Sequence, residues 1–91
     1  MNVTVAGVTF DNVSYDREAD VLYLHVGDPA TAVEFGGVPE GHHLRYGSDG
    51  QLVGITILRP RWLLEHEGEV VLTLPERTIH PTDLGPALAA A

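Results

Sequence analysis

The 91-residue chain carries 13 aspartates and glutamates against five arginines and no lysine, which gives a formal net charge of -8 at pH 7. Nucleic acids and anionic membranes attract basic surfaces, so this charge excludes them as expected partners. The absence of cysteine excludes disulfides, thiolate zinc sites and cysteine nucleophiles.

A chain of this length predicts a single domain, residues 1–91, with one thin core. No stretch has the basic, apolar and small-residue order of a signal peptide, and no apolar run approaches the roughly 20 residues that span a bilayer. We therefore expect a cytoplasmic protein with no membrane partner. Its acidic surface suits either solubility alone, which is the commoner reason, or a basic protein partner.

Alternation of apolar and polar residues, punctuated by glycine, proline and aspartate, predicts β-strands along most of the chain. The predicted strands cover residues 3–10, 12–15, 20–26, 30–35, 42–46, 51–58 and 69–74. Since the connections between them are mostly short, they predict a mainly β fold, an antiparallel meander of about five to seven short strands.

One short helix is predicted over residues 60–67, because Pro60 suits a first helical turn and Gly68 supplies a stop. On this helix we expect Trp62 to be a core residue that seals the sheet. The tail that begins at Thr82 predicts either a weak helical turn, capped by Thr82 or Asp83, or a frayed end.

The two faces of the predicted sheet differ in character. Leu22 and Leu24 alternate with Tyr23 and His25, so the two pairs point to opposite faces. The face opposite the leucines is expected to carry Tyr23, His25, Thr56, Val71 and Thr73. Exposed apolar patches often mark interfaces, so we expect either a homodimer through this face or a sheet edge, or a second layer formed by the N-terminal strand.

Carboxylates alternate at Asp16, Glu18 and Asp20, where the first clear strand begins. A calcium-binding loop that started at Asp16 would need glycine and glutamate where this chain has Val21 and Gly27. We therefore expect a structural turn, in which Asp16 and Asp20 accept hydrogen bonds from its backbone amides.

Asp49 and Gly50 predict the tip of a hairpin, because both residues tolerate a positive φ angle. Further along the same hairpin, Gly54 leaves a notch in the strand where a neighbouring aromatic side chain can lie.

Histidines are the only candidate metal ligands besides carboxylates. His42 and His43 are adjacent, so in a strand they point to opposite faces and cannot share one ion. His25, one of these two and a carboxylate are a possible zinc or nickel set, although no spacing resembles a known site. Neither serine lies in a Gly-x-Ser-x-Gly elbow. We therefore assign no catalytic, cofactor-binding or metal residue.

Two phrases of the chain, Tyr15-Asp-Arg-Glu-Ala-Asp-Val-Leu-Tyr and Asp49-Gly-Gln-Leu-Val-Gly-Ile-Thr-Ile-Leu, resemble the DUF2283 family of small prokaryotic proteins. The resemblance covers roughly residues 14–60. Thr56 stands where the family usually has a glutamate. The resemblance implies a small β-rich domain of unknown function, and an antitoxin-like role, since such genes are thought sometimes to neighbour small toxin-like partners.

These observations favour a non-enzymatic protein-interaction or regulatory module, which forms a homodimer or binds a basic protein. The alternative is a small-ligand or metal-binding protein, or an enzyme, with its site at a homodimer interface. In both cases the expected surface consists of Tyr23, His25, His42, His43 and Thr56.

Overall fold

A tight hairpin begins the fold in the computed structural model, which describes residues 1–82 and 84–89. Strands β1 (Val3–Val5) and β2 (Val8–Phe10) pair antiparallel across a two-residue turn at Ala6 and Gly7. Both turn residues have positive φ angles, which is typical of the turns that match the twist of a β-hairpin. The strand predicted over residues 3–10 is therefore two strands.

Five further strands form one antiparallel sheet. In chain order they are β3 (Asn12–Asp16), β4 (Val21–His25), β5 (Glu34–Gly37), β6 (His43–Tyr46) and β7 (Leu52–Leu58). Their order across the sheet is β3-β4-β7-β6-β5, so a β3–β4 hairpin lies beside a β5–β6–β7 meander. The mainly β antiparallel fold predicted from the sequence is confirmed.

The strand order departs from a simple meander at one connection, because the segment expected at 30–35 does not pair with β4. Asp28 accepts hydrogen bonds from the backbone of Ala30 and Thr31, which folds Pro29–Thr31 into a 3-10 turn. Strand β5 therefore starts only at Glu34 and pairs with β6. The neighbour of β4 is instead the seven-residue β7, which is long enough to pair on both sides.

The remaining elements follow β7. They are helix α1 (Pro60–His66), the two-residue strands β8 (Leu72–Thr73) and β9 (Thr78–Ile79), and helix α2 (Leu84–Ala89). The predicted strand over 69–74 is thus reduced to β8, although Val70 and Leu72 alternate into the core as expected. The tail forms a helix, and the proposed cap Asp83 lies outside the described residues.

The core lies between one face of the five-stranded sheet and a second layer that includes the N-terminal hairpin and α2. Helix α2 buries Leu84, Ala87 and Leu88, which are spaced to share one helical face. The least exposed large side chains come from both layers: Phe10, Leu22, Leu24, Leu44, Ile55, Ile57, Leu72 and Leu84. Trp62, expected in this core, is instead 41% exposed on α1.

Candidate functional site

The other face of the five-stranded sheet presents a mixed apolar and polar surface, which we call the open face. It consists of Asn12, Ser14, Tyr23, His25, Phe35, His43, Arg45 and Thr56. Two rows of cross-strand neighbours form its centre: Ser14–Tyr23–Thr56–His43 and Asn12–His25–Gly54–Arg45–Phe35; a third row, Asp16–Val21–Leu58, lies at its margin. Tyr23 is 44% exposed and Phe35 is 72% exposed, so the face has two large accessible aromatic rings.

Two adjoining depressions cross the open face, and Tyr23, Arg45 and Thr56 line both of them. One has a volume of about 290 Å³ and extends towards Phe35 and His43. The other, of about 240 Å³, extends towards Asn12 and His25. No carboxylate lines either depression in the part of the chain that the structure describes.

Gly54 creates the notch in which the His25 ring lies. A Cβ atom at position 54 would lie 2.8 Å from Cδ2 of His25 and 3.2 Å from Cβ of Arg45. Because glycine has no Cβ, the imidazole occupies this space and is 5% exposed. The aromatic neighbour expected at Gly54 is therefore His25, its cross-strand partner.

Hydrogen bonding defines the proton positions of the His25 ring. Nδ1 lies 2.8 Å from the carbonyl oxygen of Val26, and a carbonyl only accepts, so Nδ1 carries a proton and donates it. In the neutral ring, Nε2 is then an acceptor. Nε2 is buried and has no hydrogen-bond partner among the described residues, which is a costly arrangement for a polar atom.

Arg45 supplies the positive charge of the open face. Its guanidinium carbon lies 5.7 Å from the centroid of the Phe35 ring, within the range of a cation–π interaction. Neither residue belonged to the predicted surface. The alternation of His43 and Arg45 along one strand was a usable signal for Arg45, whereas the position of Phe35 depends on β5 pairing with β6.

The residues that were predicted to form one surface do not all lie on the same face of the sheet. Tyr23, His25, His43 and Thr56 lie on the open face, whereas His42 lies on the opposite side. Val71 and Thr73, also expected on that face, belong to the segment of β8, outside the five-stranded sheet. The separation of His42 from His43 follows from the two-residue repeat of a strand, as the sequence predicted.

His42 lines a second depression of about 420 Å³, which we call the His42 cleft. Glu40, Arg59, Glu67 and Glu69 contribute its charged lining, and Leu58, Leu63 and Val71 contribute apolar lining. The cleft therefore lies where β7 runs into α1. Sequence reasoning named His42 and Val71 as surface residues but did not predict the cleft, because its lining combines segments that are separate in the chain.

The His42 ring accepts a backbone hydrogen bond from β7 at a position where β6 no longer pairs with this strand. Its Nδ1 accepts a hydrogen bond of 3.0 Å from the backbone N–H of Leu58, two residues beyond the last pairing between β7 and β6. A neutral ring therefore carries its proton on Nε2, which is buried and has no partner among the described residues. Burial lowers the pKa of His42 below its ordinary value of 6.5, and nearby Arg59 and His43 act in the same direction, against Glu40.

Glu40 joins the cleft to strand β8. Its carboxylate accepts hydrogen bonds from the hydroxyl of Thr73, at 2.6 Å, and from the backbone N–H of Thr73, at 3.0 Å. The side-chain and backbone hydrogen bonds from Thr73 lower the pKa of Glu40. The Glu40 carboxylate is consequently ionised and fixed at the rim of the cleft.

The carboxylates of the first turn have structural partners. Asp16 accepts a hydrogen bond of 3.1 Å from the backbone N–H of Ala19, within its own turn. Asp20 was expected to act in the same way, but its carboxylate accepts from the backbone N–H groups of Arg61 and Trp62 in α1, both at 3.1 Å. Asp20 has a φ angle of 55°, in the left-handed region.

Glu18, Asp49 and Gly50, the other residues predicted to form turns, are exposed at the surface. Glu18 is exposed in the β3–β4 turn. Asp49 and Gly50 form the tip of the β6–β7 hairpin, where Gly50 has a φ angle of 78°. None of these three residues lines the open face or the His42 cleft.

The described residues contain neither a metal-binding cluster nor a membrane-spanning helix. Within residues 1–82 and 84–89, no group of three or more histidine, aspartate and glutamate side chains is arranged to hold a metal ion. In the same part of the chain, neither helix has the length and apolar character needed to cross a membrane.

Comparison with known proteins gives one match. The model of a family described as a protein of unknown function, DUF2283, matches residues 12–59. This segment runs from the start of β3 to the residue after β7, so it contains the whole five-stranded sheet. No curated protein and no solved structure matches the chain.

Proposed function

The chain belongs to the DUF2283 family of proteins of unknown function, and on that premise we propose that it is a non-enzymatic protein-interaction module that pairs with a second copy of itself through the open face. The observation that carries this proposal is an exposed aromatic pair, Tyr23 and Phe35, on a face whose depressions no described carboxylate lines, in a chain of net charge -8. Depletion of acidic residues and enrichment in aromatic residues and arginine are typical of interface cores.

Electrostatics favours this face over the rest of the surface for self-association. Two acidic chains repel each other wherever their carboxylates meet. The open face instead brings Arg45, His43 and neutral polar groups to the contact. A twofold dimer places the same patch on both partners, so two copies can share the depressions, which no described carboxylate lines, at a low electrostatic cost, with Asp16 left at the margin of the contact.

The size of the face limits the strength of the pairing. Five strands about 4.8 Å apart and five residues of about 3.4 Å each give a projected area of about 400 Å² per copy. Specific interfaces usually bury about 800 Å² per partner, and smaller ones are typically transient. We therefore expect a concentration-dependent dimer that exchanges rapidly with the monomer.

Sedimentation velocity over a wide range of protein concentration tests this proposal. The wild-type chain is expected to move from monomer to dimer, whereas Phe35→Glu is expected to remain monomeric because it buries a carboxylate in the interface. Val26→Glu is the matched control, because this substitution adds the same charge at an exposed residue that lines neither depression. A wild-type chain that stays monomeric, or equal effects of the two substitutions, would contradict the proposal.

A second candidate is a small-ligand site in the depression beside His25. It is supported by the buried Nε2 acceptor without a described partner and by the polar lining of Asn12, Ser14, Tyr23 and Arg45. A ligand that fits would carry a hydrogen-bond donor towards Nε2 and an anionic group towards Arg45. Native mass spectrometry of the purified chain should then detect a small molecule that Arg45→Gln no longer retains; an adduct-free wild-type spectrum would count against this candidate.

A further inference from the structure

We propose that the His42 cleft binds a basic segment of a partner protein, with arginine or lysine side chains facing Glu40, Glu67 and Glu69 and a backbone carbonyl facing His42. Apart from Leu58, which lines both, the described residues that line this cleft differ from those that line the depressions of the open face. The inference therefore does not depend on the self-association proposed above.

Charge defines the chemical class of the occupant. Three carboxylates line the cleft, whereas Arg59 is the one arginine among its described lining residues. The Arg59 guanidinium lies over the Trp62 ring, with its carbon 5.3 Å from the ring centroid, and Trp62 is exposed on the surface of α1. The cleft thus keeps a net negative lining that favours a cationic occupant.

The carboxylates retain capacity for such an occupant although two of them have partners. Glu40 accepts hydrogen bonds from Thr73, and one oxygen of Glu69 lies 2.8 Å from Nδ1 of His80. A carboxylate offers about four acceptor positions. Each of these side chains is therefore oriented by its partner and can still accept from a guanidinium or an ammonium group.

The apolar lining indicates a side chain rather than a bare cation. Leu58, Leu63 and Val71 lie between the charged groups of the cleft. Arginine and lysine bury their aliphatic stems along apolar surface while the charged group stays at the rim. A hydrated inorganic cation gains nothing from these residues.

His42 provides the independent evidence for a ligand. The ring is 2% exposed, and its Nδ1 is committed to the N–H of Leu58. Nε2, on the other side of the ring, holds a proton without a described acceptor. A peptide carbonyl is an acceptor of the right kind, and it is a group that every basic segment of a protein carries. The occupant that satisfies both the carboxylates and His42 is therefore a peptide.

The test is a fluorescence-anisotropy titration with a labelled peptide of alternating arginine and glycine, beside a peptide of alternating glutamine and glycine. The arginine peptide is expected to bind and the glutamine peptide is not. Glu67→Gln is expected to weaken binding about two- to fivefold, the effect of losing one solvent-exposed ion pair. Glu65→Gln is the matched control, because Glu65 lies in α1, two residues before the C-cap residue Glu67, and does not line the cleft.

His42→Asn tests the peptide carbonyl separately. The asparagine oxygen takes the place of Nδ1 as acceptor for Leu58, while the Nε2 proton is removed. Binding is expected to weaken about two- to tenfold, the effect of losing one hydrogen bond. Phe35→Glu, which disrupts only the open face, should leave the affinity unchanged, so failure of the dimer proposal and of this one are distinguishable.

Two results would overturn the inference. Equal losses for Glu65→Gln and Glu67→Gln would show diffuse attraction by the acidic chain instead of a site. Displacement of the peptide by spermidine, together with wild-type affinity for His42→Asn, would show a site for a cation alone. Amide chemical-shift changes in the peptide titration should centre on Gly41, Arg59 and Val71; changes confined to the open face would also contradict it.

Discussion

The carboxylate of Asp20 accepts a hydrogen bond of 3.1 Å from the backbone N–H of Trp62, a residue 42 positions later in the chain. The same carboxylate accepts from the N–H of Arg61 and from the hydroxyl of Tyr15. The N-cap residue of α1, Arg59, has no side-chain capping bond of its own. A side chain from the β3–β4 turn therefore caps a helix that is too short to be stable alone.

Asp20→Ala is expected to lower the free energy of unfolding by about 2–4 kcal/mol, because it removes a helix cap and places alanine at a positive φ angle. Chemical denaturation measures this change. Asp16→Ala is the matched control from the same motif, since Asp16 makes one exposed bond to Ala19, and should cost no more than about 1 kcal/mol. Equal stability of Asp20→Ala and the wild-type chain would refute the capping role.

Tyr15→Phe should lower the free energy of unfolding by about 1 kcal/mol, the usual value of one hydrogen bond. The Tyr15 hydroxyl donates to Asp20 at 2.7 Å, and burial together with this bond raises the pKa of Tyr15. In a double-mutant cycle with Asp20→Asn, the two changes should cost less together than the sum of the single changes. Strict additivity would show that the two side chains do not stabilise each other.

Stability should decrease as the pH falls below 6.5, because the pKa of His42 is lowered by folding. In the unfolded chain, His42 binds a proton as the pH falls past 6.5, the ordinary pKa of histidine, whereas in the folded chain its ring is still neutral at that pH. The contribution of His42 to the free energy of unfolding is therefore complete above pH 6.5. It is lost as the pH falls towards the lowered pKa that His42 has in the folded chain, with a slope of at most about 1.4 kcal/mol per pH unit.

His42→Asn keeps an acceptor for the N–H of Leu58 but does not titrate, so the variant should lose this part of the slope. Urea denaturation of both proteins at pH values above and below 6.5 provides the comparison. The difference in unfolding free energy between wild type and variant should narrow as the pH falls; a constant difference would show that His42 does not contribute.

Gly54→Ala is expected to destabilise the chain by about 1–3 kcal/mol, because the added methyl group overlaps the His25 ring and crowds Arg45. Gly85→Ala is the matched control: its Cβ meets nothing within 4 Å in helix α2, so it should be neutral or stabilising by up to about 1 kcal/mol. Thermal unfolding compares the two. His25→Ala should partly rescue Gly54→Ala, and a cost that is fully additive would show that the ring does not cause the clash.

The local features of this fold are readable from short stretches of sequence. The alternation of Leu22 and Leu24 with Tyr23 and His25 assigned two faces to β4, and Asp49-Gly50 located the hairpin tip, because each signal depends on neighbouring residues only. Helix α1 was predicted within one residue of its end from Pro60 and Gly68. The alternation of side chains along a strand also assigned His42 and His43 to opposite faces.

Contacts between distant segments were decided by the tertiary structure. The pairing of β4 with β7, the capping of α1 by Asp20, and the joining of His42 with Glu67 in one cleft each bring together residues far apart in the chain. Such contacts depend on the sum of many packing and hydrogen-bond energies over the whole fold, which no local pattern encodes. The sequence by itself determined strands β4, β6 and β7 and the faces of their side chains; the tertiary structure decided which faces and side chains meet, and with them both candidate binding surfaces.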